Sequence, residues 1–169
     1  MRPASRRLVH FRRAQDGATA IEFALVAIPF FIVVGCIIEI GIMLAQEYSL
    51  QNAAQDAGRT LRTGSAGAMT GDQFRAEVCS QGAAVRDCNA TLGILVESAA
   101  TFSELNVPGI LDIGPGINAF NAGGPKQAVA VVVTFDWQFI FPFMGFFSNL
   151  PDGDARRLHG IAVFRNEPS

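Results

Sequence analysis

A chain of 169 residues has room for one domain and an anchor, and its 50% hydrophobic against 17% charged content lies at the apolar edge of what soluble domains carry. The formal net charge is −2, and from Gln46 onward eight Lys and Arg stand against twelve Asp and Glu, so this larger part offers no basic face and the expectation is no nucleic-acid partner. The apolar surplus is local, for between Ala18 and Ala45 the only charged side chains are Glu22 and Glu39.

Arg2, Arg6, Arg7, Arg12 and Arg13 crowd the first thirteen residues with no acid among them, which keeps the N-terminus cytoplasmic under the positive-inside rule and exports the rest. Residues 18–45 then read as a transmembrane helix of roughly 42 Å, longer than a hydrocarbon layer of roughly 30 Å, so the helix is expected to protrude. A cleaved secretory signal needs its small residues after a short apolar run, whereas Gly17, Ala18 and Ala20 come before a long one. Val33-Val34-Gly35-Cys36 fits a loose lipoprotein box, but IIEIGIMLA follows where a polar tether belongs, and Cys36 reads as a packing residue. Arg6-Arg7 is a weak twin-arginine match. A plain signal-anchor, with Glu22 snorkelling to the interface, accounts for the leader and the span. It leaves unexplained the order glycine, small residues, carboxylate, apolar run.

That order resembles the N-terminus of type IV pilins and their relatives, in which a basic leader ends in Gly and the fifth mature residue is Glu. A cut between Gly17 and Ala18 makes Glu22 the fifth mature residue. Gly17 would let the backbone extend into a protease, and the new ammonium of Ala18 could offset the burial of Glu22, its own or that of a neighbouring subunit. Within this group, GATAIEFALVAIPFF, with Gly17, Glu22, Phe23, Ala24 and Pro29, resembles the N-terminal block of the TadE-like family, the pilin-like accessory proteins of tight-adherence (Flp-type) pili. YSLQNAAQDAGRTLRTG is similar to the family's small-residue helix, and Phe164-Arg165-Asn166-Glu167-Pro168 to its closing signature, although Ser169 stands where an aromatic or apolar residue is expected. The resemblance implies a prepilin-peptidase substrate and a minor pseudopilin that acts in pilus assembly and surface attachment.

Beyond Ala45 the helical pattern turns amphipathic: Leu50, Ala53, Ala54, Ala57 and Leu61 share a face, expected to pack on the protein's own sheet, and Gly64 is the expected stop. SAGAMTGD reads as a loop, and Thr70 with Gln73 as a capping box opening a helix through about Ser80, with Phe74 and Val78 in the core. Cys79 and Cys88 lie in the exported part, where an oxidising compartment would let them close a short loop, the alternative being two buried thiols. Asn89-Ala90-Thr91 matches a glycosylation sequon of little weight.

Three stretches read as strands, Leu92 to Phe102, Ala128 to Phe139 and Leu158 to Phe164, and the Gly- and Pro-rich residues 106–126 as a long exposed connection. FIFPFMGFFSNLP after Trp137 either fills the core or forms an exposed apolar patch against a membrane or partner; core filling is the expectation.

His10 and His159 stand apart, Asp152 and Asp154 fall in a turn, and no Cys-His spacing or phosphate-binding loop is evident, so neither catalysis, metal nor cofactor is expected. The fold expected is α+β, with a long N-terminal transmembrane helix extending into an amphipathic helix, then a small antiparallel sheet domain. Its divisions are a leader (1–17), a span (18–45), a helical extension (46–64) and an exported domain (65–169). The expected partners are a prepilin peptidase, other pilus subunits met through the N-terminal helix, and the bacterial inner membrane, crossed once with the C-terminal domain outside. The alternative is a signal-anchored accessory or sensor domain with no filament role. The site residues expected are Gly17 and Ala18 for cleavage, Glu22 and Phe23 for processing and assembly, and Cys79 with Cys88 for a disulfide.

Overall fold

A computed structural model describes residues 16–63, 69–80, 87–141 and 143–168. Residues 1–15 of the leader and Gly64 fall outside the described residues. The chain divides into two units, Met1–Ile38 and Glu39–Ser169.

A single helix, α1 (Asp16–Arg62), runs through the span and the amphipathic stretch without a break. In the first unit its apolar side chains are largely bare, Ile21, Phe23, Leu25, Phe30, Phe31 and Val33 each more than half exposed. Such a surface is stable where the solvent is lipid, and the hydropathy and length of the helix suit a membrane crossing. Pro29 lies inside this stretch, a position that membrane helices tolerate.

The second unit holds the folded domain. After α1 come α2 (Gly71–Ser80) and α3 (Cys88–Thr91), then β1 (Leu92–Ala99), β2 (Asn118–Phe120), β3 (Ala128–Gln138) and β4 (Ala155–Arg165). The Thr70–Gln73 capping box is formed in both directions: the Thr70 N–H donates to Gln73 Oε1 (2.9 Å) and the Gln73 N–H to Thr70 Oγ1 (3.3 Å). The sheet has the order β2-β1-β3-β4. Pairings β1–β3 and β3–β4 are antiparallel, but β2 runs parallel to β1, so the sheet is mixed and not wholly antiparallel as expected. The connection read as an open loop supplies β2; three residues are too few to display alternation. The same connection buries Ile113 against Leu95 and Val132 on one face of the sheet.

The other face takes α1. Leu50, Ala53, Ala54, Ala57 and Leu61 are all buried with Val129, Val131, Val133, Ile94 and Val96, as their shared helical face predicts. Small residues allow close approach: a Cβ at Gly160 would collide with the carbonyl oxygen of Leu50, and one at Gly58 would lie 2.9 Å from the Phe164 ring. Strand limits shift where local polar bonds compete. β1 stops at Ala99 because Thr101 and Glu104 close a capping box instead of continuing the strand. β4 starts at Ala155, earlier than Leu158, because Ser148 and Asn149 satisfy its first outward-facing groups: Ser148 Oγ donates to the Ala155 carbonyl (2.6 Å) and the Arg157 N–H to Asn149 Oδ1 (2.7 Å).

The aromatic segment departs most from expectation. Phe139 packs on the core and Met144 is buried, but Ile140, Phe143, Phe146 and Phe147 are exposed. α1, lying on the sheet face with Leu50 and the alanines, already fills the space that these rings were expected to occupy.

The close approach at Gly160 is testable. Gly160→Ala should destabilise the purified chain by about 2 kcal/mol or more, because a backbone oxygen cannot move aside. Gly41→Ala, whose Cβ would meet nothing within 4 Å, should leave stability unchanged or raise it by up to about 1 kcal/mol. Thermal unfolding in detergent, followed by circular dichroism, measures both.

Candidate functional site

The residues expected to direct processing sit at the head of α1. Gly17 and Ala18 lie in its first turn, while Glu22 and Phe23 are exposed, Phe23 by 73%. Ala18 and Glu22 are four apart and so share a helix face about 6 Å apart along the axis. With the Gly17-Ala18 bond intact, the Ala18 nitrogen is an amide and carries no charge for Glu22 to meet.

The second acid of the run behaves differently. Glu39 is 1% exposed. Its Oε1 accepts the Ile140 N–H (2.7 Å) and the Trp137 indole N–H (3.3 Å), and its Oε2 accepts the Phe141 N–H (3.0 Å). A buried carboxylate is sustained by such a set of donors, and here it closes the end of β3 and the start of the aromatic segment onto α1. Sequence reasoning noted Glu39 only as a charge in an apolar run. The available signal was periodic: stepping back from Leu50 by seven and eleven gives Met43 and Glu39, both buried on the face that continues to Ala54, Ala57 and Leu61.

Further along α1, the Gln51 amide meets the outer backbone of β4, accepting from the Ile161 N–H (2.9 Å) and donating to the Ile161 carbonyl (2.7 Å). Together with Ser148 and Asn149 it occupies hydrogen-bonding groups that an edge strand would otherwise offer to another chain. Glu47 pairs with His159 at 3.3 Å. The closing residues return to the helix end: the Glu167 N–H donates to the Arg62 carbonyl (3.2 Å), and Asn166 Nδ2 donates to the carbonyls of Ala122 (2.9 Å) and Gly124 (3.1 Å). The signature at 164–168 therefore ties the chain end to α1 and to the β2–β3 connection.

Two buried arginines brace the rest. Arg75 donates to the carbonyls of Asn89 (2.9 Å), Leu92 (2.7 Å) and Ile117 (2.8 Å), joining α2 to α3, β1 and the approach to β2. Cys79 and Cys88 form a disulfide, Cα–Cα 5.9 Å, from α2 to the first residue of α3. Arg157 binds Asp136 through two bonds of 2.6 and 2.7 Å and also reaches the Leu111 carbonyl. The hydrogen bonds that Arg157 donates to Asp136 raise the Arg157 pKa above its already high ordinary value, with burial opposing and the charges of Asp136 and Asp112 assisting. A raised pKa on a cation keeps its contribution intact below the unfolded value, so this brace holds through neutral and acidic pH on the arginine side.

The sequence profile of the TadE family, described as TadE-like protein, matches residues 17–59. Over this segment the chain is similar to the TadE-like family. No curated protein and no solved structure matches the chain. The TadE-like segment contains Gly17, Glu22 and Phe23 at its head and Glu39, Leu50, Ala53, Ala54 and Ala57 along its length. It thus covers both the exposed apolar turns and most of the face that packs on the sheet. Among the described residues, no group of three or more His, Cys, Asp or Glu is placed to hold a metal.

The carboxylate at position 39 can be isolated by substitution. Glu39→Ala strands two backbone N–H groups and an indole N–H, and should cost about 3 kcal/mol or more. Glu39→Gln keeps one accepting oxygen but turns an NH2 toward one of the donors, so its loss should fall between that of the alanine variant and zero. Thermal unfolding read by the fluorescence of Trp137, the chain's single tryptophan, ranks the three proteins.

Proposed function

We propose that the chain is a pilin-like minor pseudopilin of a tight-adherence pilus system. In this reading the basic leader holds the N-terminus in the cytoplasm, α1 crosses the bacterial inner membrane once, and residues beyond it fold outside. A prepilin peptidase cuts between Gly17 and Ala18. The mature helix then packs with other pilus subunits, and Glu22 neutralises the ammonium of Ala18 on its own chain or on a neighbour, setting axial register. Phe23 and the other bare side chains of the first unit supply the apolar contact surface.

The observation that carries this reading is one of position. Within the TadE-like segment, Gly17 and Glu22 stand at the head of a helix whose next turns are apolar and exposed, while its last turns bury a small-residue face in a folded domain. A domain that needed only tethering would require the exposed turns but not the glycine and carboxylate at this spacing.

Cleavage and assembly can be separated. Mass spectrometry of protein from cells that carry the peptidase should show a chain beginning at Ala18, and Gly17→Val should retain the leader, since a β-branched residue resists the extended backbone that glycine permits. An intact leader on the wild-type chain would instead support a signal-anchored accessory domain.

Glu22→Gln should still be cut but should fail to co-purify with other pilus components, having left a buried ammonium uncompensated at a cost of about 3 kcal/mol or more. Wild-type co-purification and surface attachment of this variant would remove Glu22 from the assembly mechanism.

A further inference from the structure

Ile140, Phe143, Phe146 and Phe147 hold apolar side chains in the open beside backbone that is firmly tied. Ile140 is 70% exposed, Phe143 74% and Phe146 95%, with Phe147 close to half exposed. At one end of this segment Glu39 receives the N–H groups of Ile140 and Phe141. At the other, Arg156 donates to the Phe147 carbonyl (2.8 Å), and Ser148 and Asn149 are stitched to β4. Between the ends, buried Met144 pins the single turn Met144–Phe147. Phe143 takes a φ of 74°, a conformation glycine adopts freely, so phenylalanine here adds strain and exposed ring surface without serving the turn. A tied, uncharged loop with four large apolar side chains outward is a built surface, not a frayed one.

The length of the helix says what covers it. From Ala18 to Ile38 there are twenty-one residues, roughly 31 Å of helix against a hydrocarbon layer of roughly 30 Å. Glu39 is therefore the residue at which a helix that enters the bilayer at Ala18 leaves it, and the Glu39 carboxylate is what holds Ile140 and Phe141. We infer that Ile140, Phe143, Phe146 and Phe147 form an interfacial surface seated in the outer leaflet of the same membrane, at the boundary of headgroups and acyl chains.

Aromatic side chains are favoured at that depth. The charges beside the loop are Arg156, whose guanidinium is engaged by the Phe147 carbonyl, and the acids Asp152 and Asp154 in the following turn, so no basic cluster faces the lipid and the attraction is apolar, with no requirement for anionic lipid. The inference rests on α1 spanning the membrane and is independent of cleavage at Gly17.

The test uses the full chain with Cys36→Ser, the disulfide left closed, in nanodiscs of phosphatidylcholine. Single cysteines at Phe146, at Ser103 on an exposed turn and at Ile28 in the apolar run carry a bimane fluorophore, and lipids brominated along the acyl chain quench it. Each site is exposed, so the substitutions leave folding intact, which circular dichroism verifies. The expected result is strong quenching at Ile28, quenching at Phe146 several times that at Ser103, and no change on adding salt or anionic lipid. Quenching at Phe146 no greater than at Ser103, with Ile28 quenched, overturns the loop alone. Absence of quenching at Ile28 overturns the membrane-spanning reading and the loop with it. Shielding of Phe146 that grows only as more chains are loaded per disc assigns the surface to a second copy and also overturns the inference.

Discussion

Between Leu50 and Gly160 two backbones meet with no side chain separating them, and that approach sets how deeply α1 lies against the sheet. At this depth Ala53, Ala54 and Ala57 are large enough to fill the space above Val129, Val131 and Val133. The Gln51 amide comes within reach of the outer backbone of β4, and Glu39, three helical turns earlier on the same face, comes within reach of the end of β3. A bulkier residue at position 160 would lift the helix and weaken all three sets of bonds together. The helix is thus the domain's spine as well as its anchor.

Polar groups finish what apolar packing begins. The small sheet has an open edge at β4 and a short one at β2, and side chains manage the first. Gln51, Ser148 and Asn149 occupy outward backbone groups of β4, while at β2 the Asn118 side chain donates to the Asp72 side chain of α2 (2.9 Å), a tie that leaves the backbone of β2 untouched. Backbone groups engaged as those of β4 are not offered to a further strand. Arg75 and the Cys79–Cys88 bond confer the same order on the α2–α3 region, where buried apolar area is small.

The two acids of the apolar run illustrate how burial sorts one residue type into two roles. Glu22 lies exposed among the bare apolar side chains of the first unit. Glu39 lies on the face that the domain covers, and the domain itself provides the donors. Position along one helix, relative to where the sheet begins to cover it, makes the difference.

Much of this was legible beforehand because it depends on local chemistry. Helical periodicity from Leu50 to Leu61, the Thr70–Gln73 capping box, the apolar run after Gly17 and the β-branched stretch from Ala128 are written in residue type and spacing, and the structure has each of them. Tertiary structure alone decided the rest. β2 exists because the connection folds back beside β1, and no three-residue strand announces itself. The aromatic segment faces outward because α1 already occupies the sheet face, a competition for space between residues about a hundred positions apart in sequence. Glu39 acquired its partners through that same long-range closure, since its donors are two backbone amides and an indole that no pattern within the run could reveal. Local sequence sets which faces want burial; only the folded chain settles which of them obtain it.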